Sequence, residues 1–219
     1  FMDRAVGIGV MSAEDALSWG WTGPCLRASG VDFDLRKVAP YSGYEHYDFD
    51  IPIGENGDVY DRVIVRIEEI YQSMRIIRQA LDRLPTGPIQ SDDRRCAMPP
   101  KDEVYNSIEG MMNHFKLVFE GIRVPPGEGY GFIEGGNGEL GFHIVSDGSG
   151  HPYRIKVRPP CFPIFSAFNE LIEGHQVADA IAILGSINII SGPSHGSISG
   201  IAADGSIDYT HNGSETLAD

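Results

Sequence analysis

The stretch DVYDRVIVRIEEIYQSMRIIRQALDRLP, residues 58–85, has the clearest periodicity in this 219-residue chain. Its apolar residues recur at alternating steps of four and three, at Val63, Ile67, Ile70, Met74, Ile77, Leu81 and Leu84. This spacing places one apolar stripe along a helix for about three heptads, as in helical bundles. Asp58 is placed to cap the start, and Pro85 cannot continue the helix. The stretch therefore predicts a long bundle helix.

Three further stretches also predict helices. A short one is expected at residues 12–20, where Ser12 and Asp15 have capping-box spacing. In residues 102–121 the four-and-three spacing returns, so this second helix is expected to pack against the first. Its apolar stripe consists of Val104, Ile108, Met111, Phe115 and Val118. A third helix is predicted over residues 165–190, which are apolar over most of the helical surface and should be buried.

Strand patterns occur in two other places. Residues 129–160 alternate apolar and polar side chains between Gly-rich turns, which predicts a small antiparallel meander. Residues 30–58 carry aromatic and acidic side chains without a sustained period and predict a long ordered loop. After residue 191 the chain becomes rich in Gly, Ser and Asp, with short strand-like pieces. The fold class is therefore α+β: mainly a helical bundle with a small antiparallel sheet over residues 1–191, and a short β-type tail over residues 192–219.

Composition excludes several classes of function. The chain has 17 basic and 31 acidic residues, a formal charge of -14. Nucleic-acid binders neutralise phosphates with Lys and Arg, so no nucleic-acid partner is expected. No apolar run approaches the roughly 20 residues of a transmembrane helix. The three cysteines lie far apart, and two histidines near a turn lack a third ligand, so no metal site is predicted.

Several polar groups nevertheless stand out. On the third predicted helix, His175 and Asp179 are four residues apart and can share one face, and Asn188 follows them. They form either a structural polar cluster or the polar lining of a cavity for an amphiphilic headgroup. Along the long helix a polar side is expected to be explained by intrahelical pairs. It consists of Arg62, Arg66, Glu68, Glu69, Arg75 and Arg78.

Residues 192–196, GPSHG, fit the G-x-S-x-G pattern of a hydrolase nucleophile elbow. An elbow needs a buried strand before the serine and a helix after it, with the acid and His well downstream. Here a helix is predicted before Ser194, and Asp204, Asp208 and His211 follow too closely. A serine hydrolase at Ser194 is therefore the weakest hypothesis.

Two long strings strongly resemble the hydrogenase-like D subunit of respiratory complex I, NADH:quinone oxidoreductase. They are GPCLRASGVDFDLRKVAPYSGYEHYDFDIPIGENGDVYDRVIVRIEEIYQSMRII and GELGFHIVSDGSGHPYRIKVRPPCFPIFSAFNELIEGHQVADAIAILGSINII. The resemblance covers about residues 3–191 and corresponds to the C-terminal half of that subunit. It implies a fold like the large subunit of nickel–iron hydrogenases. The two CxxC pairs that bind nickel in hydrogenases are not found, which disfavours hydrogenase activity.

The resemblance also implies a setting for the chain. A D subunit packs against an iron–sulfur subunit that carries the terminal [4Fe-4S] cluster, and the two form the quinone-reduction cavity. The chain would bind no cofactor of its own, while NADH and FMN bind elsewhere in the complex. Other subunits of the peripheral arm would be partners, at the cytoplasmic face of the bacterial plasma membrane.

The same resemblance assigns roles to individual positions. Asn188 matches a cavity position, and Asp179 falls in the family string ADxxA, so both are cavity candidates together with His175. Four residues match the strings DLRK and YDR and are interpreted as interface or structural residues. They are Asp34, Arg36, Asp61 and Arg62.

Residues 193–219 have a resemblance of their own, to the start of a cadherin-like repeat of bacterial adhesins. A fused chain is the simplest hypothesis for this junction. It leaves an alternative function open, a non-catalytic surface or interaction protein defined by the β-type tail.

Overall fold

The computed structural model describes residues 1–187, 196–201 and 207–211 of the chain. Helices dominate, and a small sheet interrupts them, as expected for the α+β class. The helices are α1 Ala13–Ser18, α2 Gly23–Ala28, α3 Leu35–Val38, α4 Val59–Asp82, α5 Lys101–Asn106, α6 Ile108–Phe119, α7 Cys161–Ser166, α8 Phe168–Ile172 and α9 Val177–Ile187. The strands are β1 Gly127–Gly135, β2 Gly138–Ser146, β3 Arg154–Arg158, β4 Gly196–Ile201 and β5 Ile207–His211.

The long helix forms where the periodicity predicts it. The Asp58 carboxylate accepts a hydrogen bond from the Asp61 N–H and caps the first turn of α4. At the other end α4 stops at Asp82, before Pro85. Ser12 likewise accepts a hydrogen bond from the Asp15 N–H at the start of α1, which confirms the predicted cap.

The core lies between the N-terminal loop, α1, α2, the start of α4 and the helices α7 to α9. Its buried apolar residues are Ala5, Ile8, Met11, Ala16, Trp21, Cys25, Leu26, Val59, Ile164, Ala167, Leu171, Ile183 and Ile187. The first turns of α4 contact α2 and α9, and Val59 and Val65 are buried on this part of α4. Helix α2 and the short α3 were not predicted, because each is too short to show a period.

The prediction that the two heptad stripes pack together is wrong. On α4, Ile70, Ile77 and Leu81 remain exposed, and on α6 the side chains of Ile108 and Phe115 do too. The buried face of α4 is set instead by residues near its start, where α2 and α9 cover it. The apolar stripe is therefore a surface of the described chain.

The second predicted helix is also divided. Ser107 is extended, and its side chain accepts a hydrogen bond from the Gly110 N–H to cap α6. The chain turns back so closely that a Cβ on Gly110 would lie 2.6 Å from the Glu103 carbonyl oxygen. A serine that can cap a new helix thus overrides the continuous period.

The third predicted helix is wrong as a single element. It is interrupted at Ala167 and again at Gly174, which has a φ of +79° that favours glycine. His175 lies in the turn before α9, and Asp179 lies in the first turn of α9. The two are therefore not at one-turn spacing on a common helix, as the sequence pattern had indicated.

The predicted meander is confirmed as a three-stranded antiparallel sheet in the order β1-β2-β3. Its register pairs Tyr130 with His143 and His143 with Lys156, so these residues share one face. The neighbouring pair of Phe142 and Val157 lies on the opposite face. In the tail, β4 and β5 form an antiparallel pair.

Candidate functional site

Arg62 lies fully buried on the first turns of α4, against the last turns of α9. Its guanidinium donates to the carbonyl of Gly57 at 2.7 Å, the carbonyl of Gly9 at 2.8 Å and Oγ of Ser186 at 2.9 Å. All three acceptors are uncharged. Burial lowers the pKa of this side chain to about 10, so the guanidinium stays charged at neutral pH and depends on these hydrogen bonds.

Arg66, one turn further along α4, contacts the C-terminal end of α9. Its guanidinium donates to the carbonyl of Ser186 at 2.7 Å, and the thiol of Cys25 donates to the carbonyl of Ile187 at 3.8 Å. The last carbonyls of a helix lack partners inside it and form its negative end. A half-buried cation and a buried thiol therefore satisfy these carbonyls where the chain continues towards Asn188.

His175 and Asp179 both contact the N-terminal loop. Nε2 of His175 accepts a hydrogen bond from the Gly9 N–H at 3.2 Å. The Asp179 carboxylate accepts one from the Gln176 N–H at 3.2 Å and lies 2.6 Å from the Arg4 guanidinium. These two cavity candidates therefore fasten the N-terminal loop to the turn before α9.

A second buried polar group, here called the Arg27 cluster, consists of Arg27, Asp34, Arg36, Glu69 and Glu134. The Arg27 guanidinium donates to Glu69, and it donates to Oε1 of Glu134 at 3.0 Å. Asp34 binds Arg36 through three hydrogen bonds of 2.6 to 3.2 Å. The cluster thereby joins α2, α3, α4 and β1.

Two carboxyl groups of this cluster have opposite pKa shifts. Burial alone raises the pKa of Asp34, but the hydrogen bonds and charge of Arg36, together with the charge of Arg27, outweigh it, so the pKa lies below its usual value. Burial raises the pKa of Glu134, and the charge of Asp34 adds to this effect, while Arg27 only partly opposes it. The two acids thus differ in their tendency to hold a proton.

Asp61 organises the loop before α4. Its carboxylate accepts hydrogen bonds from the N–H groups of Glu55 at 3.0 Å and Asn56 at 2.6 Å. With Asp34, Arg36 and Arg62, it completes the set matched by the strings DLRK and YDR. All four make intramolecular contacts, and their role at an interface stays a prediction.

The interpretation of the α4 charges as intrahelical pairs is wrong for four of them. Arg62 and Arg66 face α9, and Glu69 binds Arg27. Arg75 pairs instead with Asp48 and Asp50 of the preceding loop. Positions 62, 66 and 69 are four and three residues apart, so the three side chains lie on one face of the helix. This shared face was the signal in the sequence that these charged residues could have common neighbours outside α4.

Arg27 and Glu134 were missed as candidates. Arg27 belongs to the short α2, which has no periodicity to reveal its inward face. Glu134 follows Tyr130 and Phe132 on the same side of β1. The position of an acidic residue on this face of the strand was the only sign in the sequence that Glu134 has a buried basic partner.

The sheet presents two different faces. On one side, an apolar groove of about 860 Å³ runs along β1 and β2, lined in part by Ile133, Leu140, Phe142 and Ile144. The other side carries a row of basic residues on β3. That row is Arg154, Lys156 and Arg158.

Some predictions fall outside the described residues. Asn188 and Ser194 are among them, so the cavity position and the hydrolase elbow stay predictions. Within residues 1–187, no three His, Cys, Asp or Glu side chains are grouped as metal ligands. None of the described helices is long and apolar enough to cross a membrane.

Comparison with known proteins assigns the chain to a family. The family model of the respiratory-chain NADH dehydrogenase 49 kDa subunit matches residues 1–194. The chain belongs to this family. The resemblance to the D subunit of complex I is thereby confirmed, and the 49 kDa family covers the whole chain up to the end of α9.

Individual relatives of the 49 kDa family agree. The NADH-quinone oxidoreductase D subunit of Myxococcus xanthus is 58% identical over 192 residues, which are 88% of this chain and 46% of that protein. The D 1 subunit of Sorangium cellulosum is 53% identical over 193 residues, 88% of this chain and 48% of that protein. The C/D subunit of Bdellovibrio bacteriovorus is 52% identical over 192 residues, 88% of this chain and 34% of that longer protein. The chain spans about half the length of the D subunits that it matches.

Proposed function

We propose that residues 1–191 act as part of an NADH:quinone oxidoreductase, in which they help to form the quinone-reduction cavity. The observation that carries this proposal is the match of the 49 kDa family to residues 1–194. Relatives at 50% identity or more are named as the D subunit of NADH-quinone oxidoreductase. Residues 192–219 are a separate tail in this proposal.

The proposal gives the chain defined partners. The cavity would lie beside the terminal [4Fe-4S] cluster of an iron–sulfur subunit, with other peripheral-arm subunits adjacent. Quinone is the substrate, whereas NADH and FMN would bind elsewhere in the complex. The chain would lie peripherally at the cytoplasmic face of the bacterial plasma membrane and bind no redox centre itself.

In this proposal the buried polar contacts serve to position the cavity wall. Arg62 and Arg66 fix the end of α9, and His175 and Asp179 fix the N-terminal loop against it. Quinone orientation requires such groups to be held in place by their neighbours. Asn188, directly after α9, is the proposed residue of this chain nearest to the quinone.

A chimeric protein tests the proposal. Residues 1–191 would replace the matching part of the D subunit in Myxococcus xanthus, and the membranes would be assayed. We expect the complex to assemble and to reduce quinone with NADH. The proposal would be contradicted if the complex assembled and still oxidised NADH with an artificial acceptor but had completely lost quinone reduction.

Asp179→Asn in this chimera tests the positioning role. The carboxamide removes the charge that holds Arg4 while retaining an oxygen for the Gln176 N–H. We expect the KM for quinone to rise, with assembly and NADH oxidation by the artificial acceptor unchanged. Asp82→Asn, at the exposed end of α4, is the control and should leave both activities unaltered. Unchanged quinone kinetics in the Asp179 variant would remove it from the cavity.

The surface-protein alternative makes a different prediction. If the β-type tail defines the function, the chain should not co-purify from membranes with an iron–sulfur subunit. The hydrolase hypothesis is tested by Ser194→Ala, which would abolish an ester-hydrolase activity of the chain.

A further inference from the structure

The Arg27 cluster has more acids than bases. Three carboxyl groups, from Asp34, Glu69 and Glu134, meet two guanidinium groups, from Arg27 and Arg36. If every group were ionised, the cluster would carry one surplus negative charge. Unpaired charge is costly in a buried site, and a titratable group usually becomes neutral instead.

The contacts show which carboxyl carries the surplus. Asp34 pairs with Arg36 through three hydrogen bonds. Glu69 accepts hydrogen bonds from two N–H groups of Arg27, and its side chain is still 17% exposed to solvent. Glu134 shares a single Arg27 nitrogen with the Phe33 carbonyl. Its other oxygen has only the Leu35 N–H, at 3.4 Å, and its side chain is 3% exposed.

We propose that Glu134 is a proton-binding site: the Arg27 cluster holds one proton, on this carboxyl, at pH values where exposed glutamates are ionised. The groups that face Glu134 are Arg27 from α2, Asp34 and Arg36 at α3, and Glu69 from α4. The Tyr41 hydroxyl also lies nearby and accepts the Glu134 backbone N–H at 2.8 Å.

Proton binding at Glu134 depends on how several elements are arranged. Arg27 divides its donors between Glu69 on α4 and Glu134 on β1. Any shift that moves Arg27 towards Glu69 leaves Glu134 with less positive charge and raises its proton affinity. The cluster therefore couples the position of the sheet to uptake or release of one proton. This inference goes beyond the proposed function and does not require it, since the following experiment uses no quinone.

The experiment measures urea unfolding of the 219-residue chain as a function of pH, for the native sequence and Glu134→Gln. A folded-state pKa above the unfolded value of about 4.3 means that stability is full below that value and falls as the pH rises towards the folded pKa. Glutamine stays neutral at every pH, so the Gln variant should not show this pH-dependent loss of stability. We expect the unfolding constant of the native chain, relative to the Gln variant, to rise up to tenfold per pH unit in this window.

Two further variants test the charge count. In Glu69→Gln the cluster has two acids and two bases. The loss of stability with rising pH should therefore disappear, although Glu134 is still present. Glu68→Gln, exposed on the same helix, is the matched control and should retain the native profile. A ratio of native to Glu134→Gln unfolding constants that is independent of pH, or that falls as the pH rises, would overturn the proposal.

If Glu134→Gln does not fold, the native chain still gives an answer. With ¹³C-labelled glutamate side chains, we expect one carboxyl resonance to keep the chemical shift of the protonated form after the others have titrated. In the Glu69→Gln chain that resonance should move to the ionised position at lower pH. Titration of every glutamate of the native chain together would refute the proton site.

Discussion

Gly23, the first residue of α2, lies against the turn between β1 and β2. A Cβ at this position would come within 2.3 Å of the Gly138 Cα. The Thr22 hydroxyl accepts a hydrogen bond from the Glu139 N–H at the same place. This close approach of two backbones is one of the contacts that fix the sheet to the helical part of the chain, together with the Arg27 cluster.

Gly23→Ala should therefore destabilise the chain strongly. The substitution adds a steric clash, worth about 1–3 kcal/mol, to the strain of a non-glycine residue at a φ of +70°, about 1–2 kcal/mol. Gly20→Ala is the control, because its φ of +71° imposes the same strain in open space. Urea unfolding should show the larger loss for Gly23→Ala. Equal losses would mean that the helix and the turn are not in contact.

At the same scale, residue type alone hides the direction of a side chain. Arg62 and Glu69 look like solvent-facing charges on a helix, yet one is buried against α9 and the other binds Arg27. Whether such a side chain is buried or exposed depends on the residue that it binds. Ser186 and Arg27, which bind Arg62 and Glu69, lie on elements distant in sequence. Asp34 was singled out from the family string DLRK, but its hydrogen bonds to Arg36 are seen only in the structure, and its role at an interface stays a prediction.

Among the elements, α4 depends most on Asp58, the N-cap residue that precedes its first turn. The buried Asp58 carboxylate caps the helix by accepting the Asp61 N–H at 2.8 Å, and its second oxygen accepts the Gly7 N–H at 2.8 Å. One side chain therefore starts the longest helix and holds the N-terminal loop beside it.

Asp58→Ala should cost about 1 kcal/mol for the lost cap and about another 1 kcal/mol for the unsatisfied Gly7 N–H. Asp82→Ala, at the exposed last position of α4, should change the unfolding free energy by less than about 0.5 kcal/mol. Thermal and urea unfolding measure both variants. If the two substitutions had the same effect, the cap would contribute nothing.

Element boundaries were predictable where a local chemical signal exists. Ser12, Asp58 and the approach to Pro85 each gave such a signal, and α1 and α4 form there. The breaks at Ala167 and Gly174 were not predicted, because apolar residues continue through them and the period alone favours one long helix. Of these two residues, Gly174 was the one that indicated a helix end, because glycine readily adopts the positive φ with which helices end.

For the whole molecule, the α+β class, the long helix α4 and the meander followed from the sequence, whereas the number of helices and the contacts between elements did not. A heptad stripe shows that a helix has an apolar face without showing which element covers it. In the described chain, the core uses the start of α4 rather than its stripe.

The exposure of the stripe can be tested by one substitution at three positions. Ile70 and Ile77 are 58% and 56% exposed, whereas Ile183 of α9 is fully buried. Ile70→Gln and Ile77→Gln should each change the unfolding free energy of the dilute chain by less than about 0.5 kcal/mol. Ile183→Gln should lower it by about 3 kcal/mol or more, because it removes buried apolar contacts and buries an amide. Losses at the stripe as large as that at Ile183 would show that α4 packs along its whole length, as its periodicity predicts, and that its stripe is covered rather than exposed to solvent.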